Sequence, residues 1–359
     1  MSFLSGLLRK FFTSKSALIT VGLFLFGGVL LILIAWQPKV VTVDLSNQVV
    51  TSTPPKPKYP PLDITAYNAK LLQLANLKVS SSTTSTPSLW PVKTVYPDGG
   101  AILPFSRIVA YYGNFYSTKM GVLGEYPPNQ VLQMLQATAK QWQEADPSTP
   151  VIPSLDYIAV AAQGSPGPGG MYRLRMPADQ IEKAISMANQ IHGLVFLDVQ
   201  VGLSNVETEV PLLEPYLKLP NVELALDPEF AMHNGQKPGT VIGSLTASDV
   251  NFAANFLAKI VKENNLAPKI LVVHRFTQPM VKDYQDIKPL PQVEIVMDMD
   301  GFGPPAEKIK TYQDFIASEP VQFTGFKLFF KNDNRPGSHM MTPQEVLKLS
   351  PQPSYIQYQ

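Results

Sequence analysis

The chain has 359 residues, a formal net charge of +1 and no cysteine. Near-neutral charge offers no basic surface on the scale nucleic acid needs. The lack of cysteine excludes disulfides, thiolate metal sites and a lipid-modified cysteine anchor. The length suits one large or two ordinary domains.

Residues 1–16 form a short basic segment, with Arg9, Lys10 and Lys15. Residues 17–36, "ALITVGLFLFGGVLLILIAW", carry no charge, and about 20 apolar residues span a bilayer. The cations precede the run and only Lys39 follows it closely, so the N-terminus is expected in the cytoplasm and the rest of the chain outside it. A cleaved signal peptide is the rival reading. Its apolar core is normally about 7–15 residues with a small-residue end, whereas this run is longer and ends "LIAWQP". An uncleaved membrane anchor is therefore expected.

Residues 37–100 read as a stalk, since "TSTPPKPKYPP" and "VSSSTTSTPS" are too polar and proline-rich to bury a core. Within it, residues 63–77 space Leu71, Leu72 and Leu74 for one short helix, with Asp63 as its cap. Residues 101–359 alternate apolar strand runs with amphipathic helical runs. "RIVAYYG", "TPVIPSLDY", "GLVFLDVQ", "VELALDPEF", "KILVVHRF", "VEIVMDMDG", "VQFTGFKLFF" and "PSYIQYQ" are the strand signals. Such alternation implies a parallel sheet with helices outside, and eight strands over about 250 residues fit a (β/α)8 TIM barrel. A doubly wound open sheet is the competitor. No helix follows the eighth strand, so the helix at 63–77 is expected to pack beside strands one and eight.

A barrel builds its site at the C-terminal ends of its strands, and side chains alternate along a strand. Val222, Leu224 and Leu226 suit the helix-facing side, which turns Ala225, Asp227 and Glu229 inward. The same parity turns Asp198 and Gln200 inward after the third strand, Asp298 and Asp300 after the sixth, and Asp156 on the second. Solvated turns alone do not explain acids repeated at one mouth. Tyr112, Asp156, Asp198, Gln200, Arg275, Asp298, Lys327 and Gln357 are expected to contact the substrate. Of the neighbours His274 and Arg275, only one can face inward.

Other motifs fall away. "IVMDMDG" is similar to the first motif of haloacid dehalogenase-type phosphatases, but too little chain follows for that fold. "GSPGPGG" lacks the Lys-Ser/Thr of a phosphate loop and reads as a loop over the mouth. No cofactor is expected. A divalent cation among Asp198, Asp227, Glu229, His274 and Asp298 is chemically possible, although no spacing demands one.

"RIVAYYGNF", "LALDPEF" and "VMDMDGFG" together resemble the first-, fourth- and sixth-strand motifs of the chitinase-like glycoside hydrolases of family 18. The resemblance implies Glu229 as general acid, Asp227 as the neighbour that orients a substrate acetamido group, and Asp300 as the sixth-strand aspartate. The chain departs from the family pattern at Val222, Glu223, Ala225 and Met299, the last standing where the family has tyrosine. The expected protein is a membrane-anchored, extracytoplasmic barrel acting on cell-envelope or extracellular polysaccharide. A non-catalytic glycan-binding or scaffolding barrel, and a metal-dependent hydrolase or lyase, are the alternatives.

Overall fold

The computed structural model describes residues 59–77 and 88–359, all within the compact unit Lys56–Gln359. The expected membrane span at 17–36 and much of the stalk lie outside the described residues. Among the described residues, no helix is long and apolar enough to cross a membrane.

Eight parallel strands appear where the apolar runs place them: β1 (Arg107–Gly113), β2 (Val151–Ala162), β3 (Leu194–Val199), β4 (Val222–Leu226), β5 (Lys269–Arg275), β6 (Val293–Met299), β7 (Phe323–Leu328) and β8 (Tyr355–Tyr358). Each pairs with its sequence neighbour, and β1 pairs with both β2 and β8. The sheet thus closes on itself, which excludes the open doubly wound alternative. β2 runs on past the expected strand and pairs antiparallel with Arg173–Arg175, so the glycine-rich stretch 164–170 lies between these two paired strands.

The full-length outer helices are α2 (Pro128–Ala145), α3 (Ala178–Gln190) and α4 (Ala247–Asn264), with the shorter α5 (Pro305–Tyr312) after β6. The run after β3 is broken into short helical turns around Pro211 and Pro215, since an interior proline removes a backbone donor and clashes with the preceding turn. Inward parity holds: Ile108, Phe196, Ala225, Val272 and Val296 share one interior cluster, while Val109, Leu197, Leu224, Val273 and Met297 belong to the cluster under the helices. Gly325 on β7 shows how tight the interior is. A Cβ there would lie 2.4 Å from Asp298 Oδ1.

The helix expected at 63–77 is α1 (Ile64–Ala75), and Asp63 caps it through Ala66 N at 2.9 Å. Its place corrects the expectation. Gln352 N donates to Leu74 O, Asn76 Nδ2 to Leu349 O, and Lys70 Nζ to Thr149 Oγ1. These partners precede β2 and β8, so α1 sits on the N-terminal rim. Tyr67, 2 % exposed, joins the interior cluster with Phe105 and Phe323. The outer face of β8 is covered instead by α2, whose Trp142 donates to Tyr358 Oη at 2.9 Å, with Val346 and Leu349 in the same cluster. The apolar face of β8 needed a cover, and α2 with the chain before β8 supplies one. Tyr67→Ala should therefore cost about 3–5 kcal/mol, as for other large buried aromatics. Urea denaturation checks this; an unchanged midpoint would mean the ring does not close the barrel floor.

Candidate active site at the C-terminal mouth

A cavity of about 610 Å³ opens at the C-terminal ends of the strands. Of the residues expected from sequence, Tyr112, Gln200, Asp227, Glu229, Asp300 and Lys327 line it. Phe230, Phe276, Phe302 and Phe329 add apolar walls. Phe302 is 53 % exposed and stands edge-on to Phe329, 5.8 Å between ring centres.

The end of β4 answers why an apolar strand delivers two acids. Asp227 leaves the strand extended and caps the following turn, Pro228–Phe230, by accepting from Glu229 N at 3.1 Å. Its other oxygen accepts from Gln200 Nε2 at 3.1 Å, and Gln200 also donates to Tyr112 Oη at 3.0 Å. Each oxygen of Asp227 thus accepts one hydrogen bond from the protein, and burial, followed by the charge of Asp198, raises its pKa well above the ordinary range. Glu229 rides on the capped turn into the cavity. Its carboxyl makes no hydrogen bond to another described residue. Burial, then the charge of Asp300, pushes its pKa up to about 7. The like charge comes from Asp300, just after β6, and not from the chain neighbour Asp227, whose own pKa is raised well above the ordinary range.

Lys327 enters from β7. Its ammonium lies 3.1 Å and 3.2 Å from the two oxygens of Asp300 and 3.9 Å from the centre of the Tyr112 ring, within range of a cation–π contact. His274 is the inward member of its pair and is fully buried. Its Nδ1 is 3.0 Å from Asp298 Oδ2 and 3.8 Å from Asp300 Oδ2. Burial alone would lower the histidine pKa, but these carboxylates override it and raise the value to about 10.

Four expected contact residues lie beneath the cavity instead of in it. Asp156 accepts from Tyr355 Oη at 2.7 Å and Gln357 Nε2 at 2.8 Å; Asp198 accepts from Tyr112 Oη at 2.8 Å; Asp298 holds His274. Asp156, Asp198, Asp298 and Gln357 are all wholly buried and support the floor. Arg275 is the clear correction. It points out of the barrel, pairs with Glu319 and donates to Gln278 O. Parity decides this: His274 shares the inward side with Val272, which leaves Arg275 the outward side.

Among the described residues, Asp156, Asp198, Asp227, Glu229, Asp298 and Asp300 are faced by Lys327 and His274 from within the barrel, with Lys308 behind Asp298 and Asp300 and Lys119 in the cavity wall. Six ionised carboxyls crowded into one buried site would repel one another and forfeit their hydration, so several carry protons. Burial raises Asp156 to about 7 and also raises Asp198 and Asp298. One oxygen of each of these three, and Nε2 of His274, is buried without a hydrogen bond among the described residues. Each such atom costs about 1–3 kcal/mol, so the polar floor is kept at the expense of stability.

The divalent-ion reading loses its donors. Of the donors named for it, Asp198, Asp227 and Asp298 are hydrogen-bonded to Tyr112, Gln200 and His274, and no group of three His, Asp or Glu able to hold a metal occurs among the described residues. The sequence reading missed a further pair. Lys308 of α5 and Asp333 lie 2.9 Å apart and fully buried. Lys308 Nζ donates to Gly301 O and Lys327 O, both at 2.7 Å, and Asp333 accepts from Gly303 N and Phe329 N, both at 2.9 Å. This pair ties the segments that carry Asp300 and Lys327. An alternating amphipathic run gave Lys308 no mark in the sequence.

No known family profile and no curated protein matches the chain. Among solved structures it is similar to a family 18 chitinase from Cycas revoluta in complex with allosamidin, at 11 % identity and TM-score 0.39 over 70 % of this chain and 94 % of that one. A family 18 chitinase from Pseudoalteromonas aurantia gives 12 % identity and TM-score 0.31 over 70 % and 93 %. A broad-specificity endoglucanase of family 5 from an uncultured bovine rumen ciliate gives 8 % and 0.34 over 63 % and 76 %. At these scores the likeness says nothing about residues, and the barrel assignment rests on the closed strand order.

Proposed function

We propose that the barrel is a glycoside hydrolase-like enzyme with Glu229 as its general acid. The observation that carries this reading is the state of Glu229. It is a carboxyl without a hydrogen bond among the described residues, raised to about 7, in an aromatic-walled cavity beside a second acid. A general acid must hold its proton near working pH and lose it in the transition state. Glycosidases pair such an acid with a carboxylate across the same cleft. Phe302, 53 % exposed in the cavity wall, offers a flat face on which a sugar ring can rest.

A glycan-array screen of the protein, with product analysis of each hit, tests the reading. Cleaved products support hydrolysis. Binding without products, unaffected by Glu229→Gln, favours the non-catalytic glycan-binding or scaffolding alternative.

The run 17–36 is proposed as an uncleaved anchor that holds the barrel outside the cytoplasm, with envelope or extracellular polysaccharide as substrate. Protease added to intact cells should then remove the barrel while Met1–Trp36 stays in the membrane fraction. A mature N-terminus between residues 30 and 50 would contradict it.

A further inference from the structure

The rim of the cavity holds cations that the chemistry above leaves without a partner. Lys327 is committed to Asp300. Lys119, on the loop after β1, also lines the cavity, and its ammonium bonds to no described residue. The chain after β7 supplies Arg335, whose guanidinium stands over the Phe302 ring, 5.2 Å from its centre. Its Nη2 donates to Asn332 Oδ1 at 3.3 Å, and its other N–H donors meet no acceptor among the described residues. Phe302 and Asn332 both line the cavity, so the ring and the amide hold this guanidinium at its edge. Lys331 Nζ, 2.6 Å from Glu125 Oε1, joins the two segments into one rim. Within residues 114–125 and 329–338 both acids are matched, Glu125 by Lys331 and the buried Asp333 by Lys308. Glu307 of α5 stands beside Gly303 but bonds to neither Lys119 nor Arg335.

Resting on the hydrolase reading above, we propose that the cavity takes an acidic polysaccharide, with Lys119 and Arg335 as specificity residues that bind carboxylate or sulfate groups on its sugar units. A guanidinium meets either anion through parallel N–H donors, and a charge-assisted bond of this kind is about twice as strong as a neutral one. A sugar resting on Phe302 lies beside Arg335. A charged polymer repeats its anion along the chain, so two cations at separate points of one rim can hold different units. The floor does not oppose this: Asp300 faces Lys327, and Glu229 acts while it holds its proton. A neutral glycan would leave both exposed cations solvated at no cost, so the preference comes from added attraction and not from exclusion.

The experiment measures binding of the full-length protein, in uncharged detergent, to immobilised polysaccharides, with product analysis of each. Alginate, polygalacturonate and hyaluronan each stand beside a carboxyl-reduced form, which keeps the backbone and loses the charge. Dextran sulfate beside dextran reads the sulfate source. At least one acidic polymer should bind about 10-fold more tightly than its uncharged counterpart at low salt, and the preference should fade as salt rises. Lys119→Gln with Arg335→Gln should remove that preference, since two exposed charge contacts are together worth about 10-fold, and should leave affinity for the uncharged forms as it was. Lys119→Arg with Arg335→Lys keeps both charges and should retain most of the preference. Both side chains are exposed, and matched far-UV circular dichroism guards against misfolding. Equal affinity for charged and uncharged forms, a preference that survives the double Gln change, or no binding of any acidic polymer would overturn the proposal. Cleavage of a neutral glycan alone would do so too and leave the hydrolase standing. Acidic binding that depends on Lys119 and Arg335, with no product from any polymer, would keep the charge recognition and remove the hydrolase reading.

Discussion

Glu229→Gln is expected to lower turnover on a natural glycan about 10²–10⁴-fold, the usual contribution of a general acid, while affinity stays nearly unchanged. The amide keeps the shape on the capped turn but carries no transferable proton. In the wild type, turnover should fall as pH rises through about 7, where Glu229 loses its proton, and the variant should lack that limb. Stability offers a second readout. The folded pKa of Glu229 stands above the ordinary carboxyl value of about 4.3, so its contribution is present at low pH and lost as pH rises through about 7. Gln cannot ionise. The stability of the variant relative to wild type should therefore increase between pH 5 and pH 8, by an amount on the order of 1–2 kcal/mol after allowing for the partial exposure of the group. Wild-type turnover in Glu229→Gln would remove it from the acid role.

Asp333→Ala should be the most destabilising of the single changes considered. It leaves the ammonium of Lys308 buried without its counter-charge, and breaking such a pair typically costs about 3–5 kcal/mol. Gly303 N and Phe329 N lose their acceptor as well. Burial already lowers the pKa of Lys308, so part of the cost appears as loss of its proton. The double change Lys308→Met with Asp333→Ala removes the stranded charge and should recover part of the loss, a coupling that a double-mutant cycle in urea measures. Additive losses would show that the pair holds neither segment. Because Lys308 also binds Gly301 O and Lys327 O, the single variant should lower turnover before it unfolds the chain.

Several features of this protein are determined by local sequence. The eight strands, their parity and the three long helices between them follow from apolar periodicity and capping residues, which act within a few residues of where they stand. Asp63 caps α1 and Thr246 caps α4 because the side chain reaches the backbone two or three residues on. Asp227 and Glu229 at the mouth follow from the same alternation, which sets them on the inward side above Ala225 and the buried Glu223.

Tertiary structure decided which of those acids can act. Alternation puts Asp156, Asp198, Asp298 and Asp300 on the inward side alike, but depth along the strand separates them. Three sink below Tyr112 and Gln200, and only Asp300 reaches the cavity. Which carboxyl perturbs Glu229 depends on strands that are distant in the chain, and Lys327, Gln200 and His274 assign those partners across β7, β3 and β5. Where α1 docks was equally hidden. An amphipathic helix carries an apolar face but not the address of the surface it covers, and here Trp142 had already covered β8, leaving the open barrel floor to Tyr67. Periodicity reports one element at a time. Hydrogen bonds and charge pairs between elements exist only once the barrel has closed.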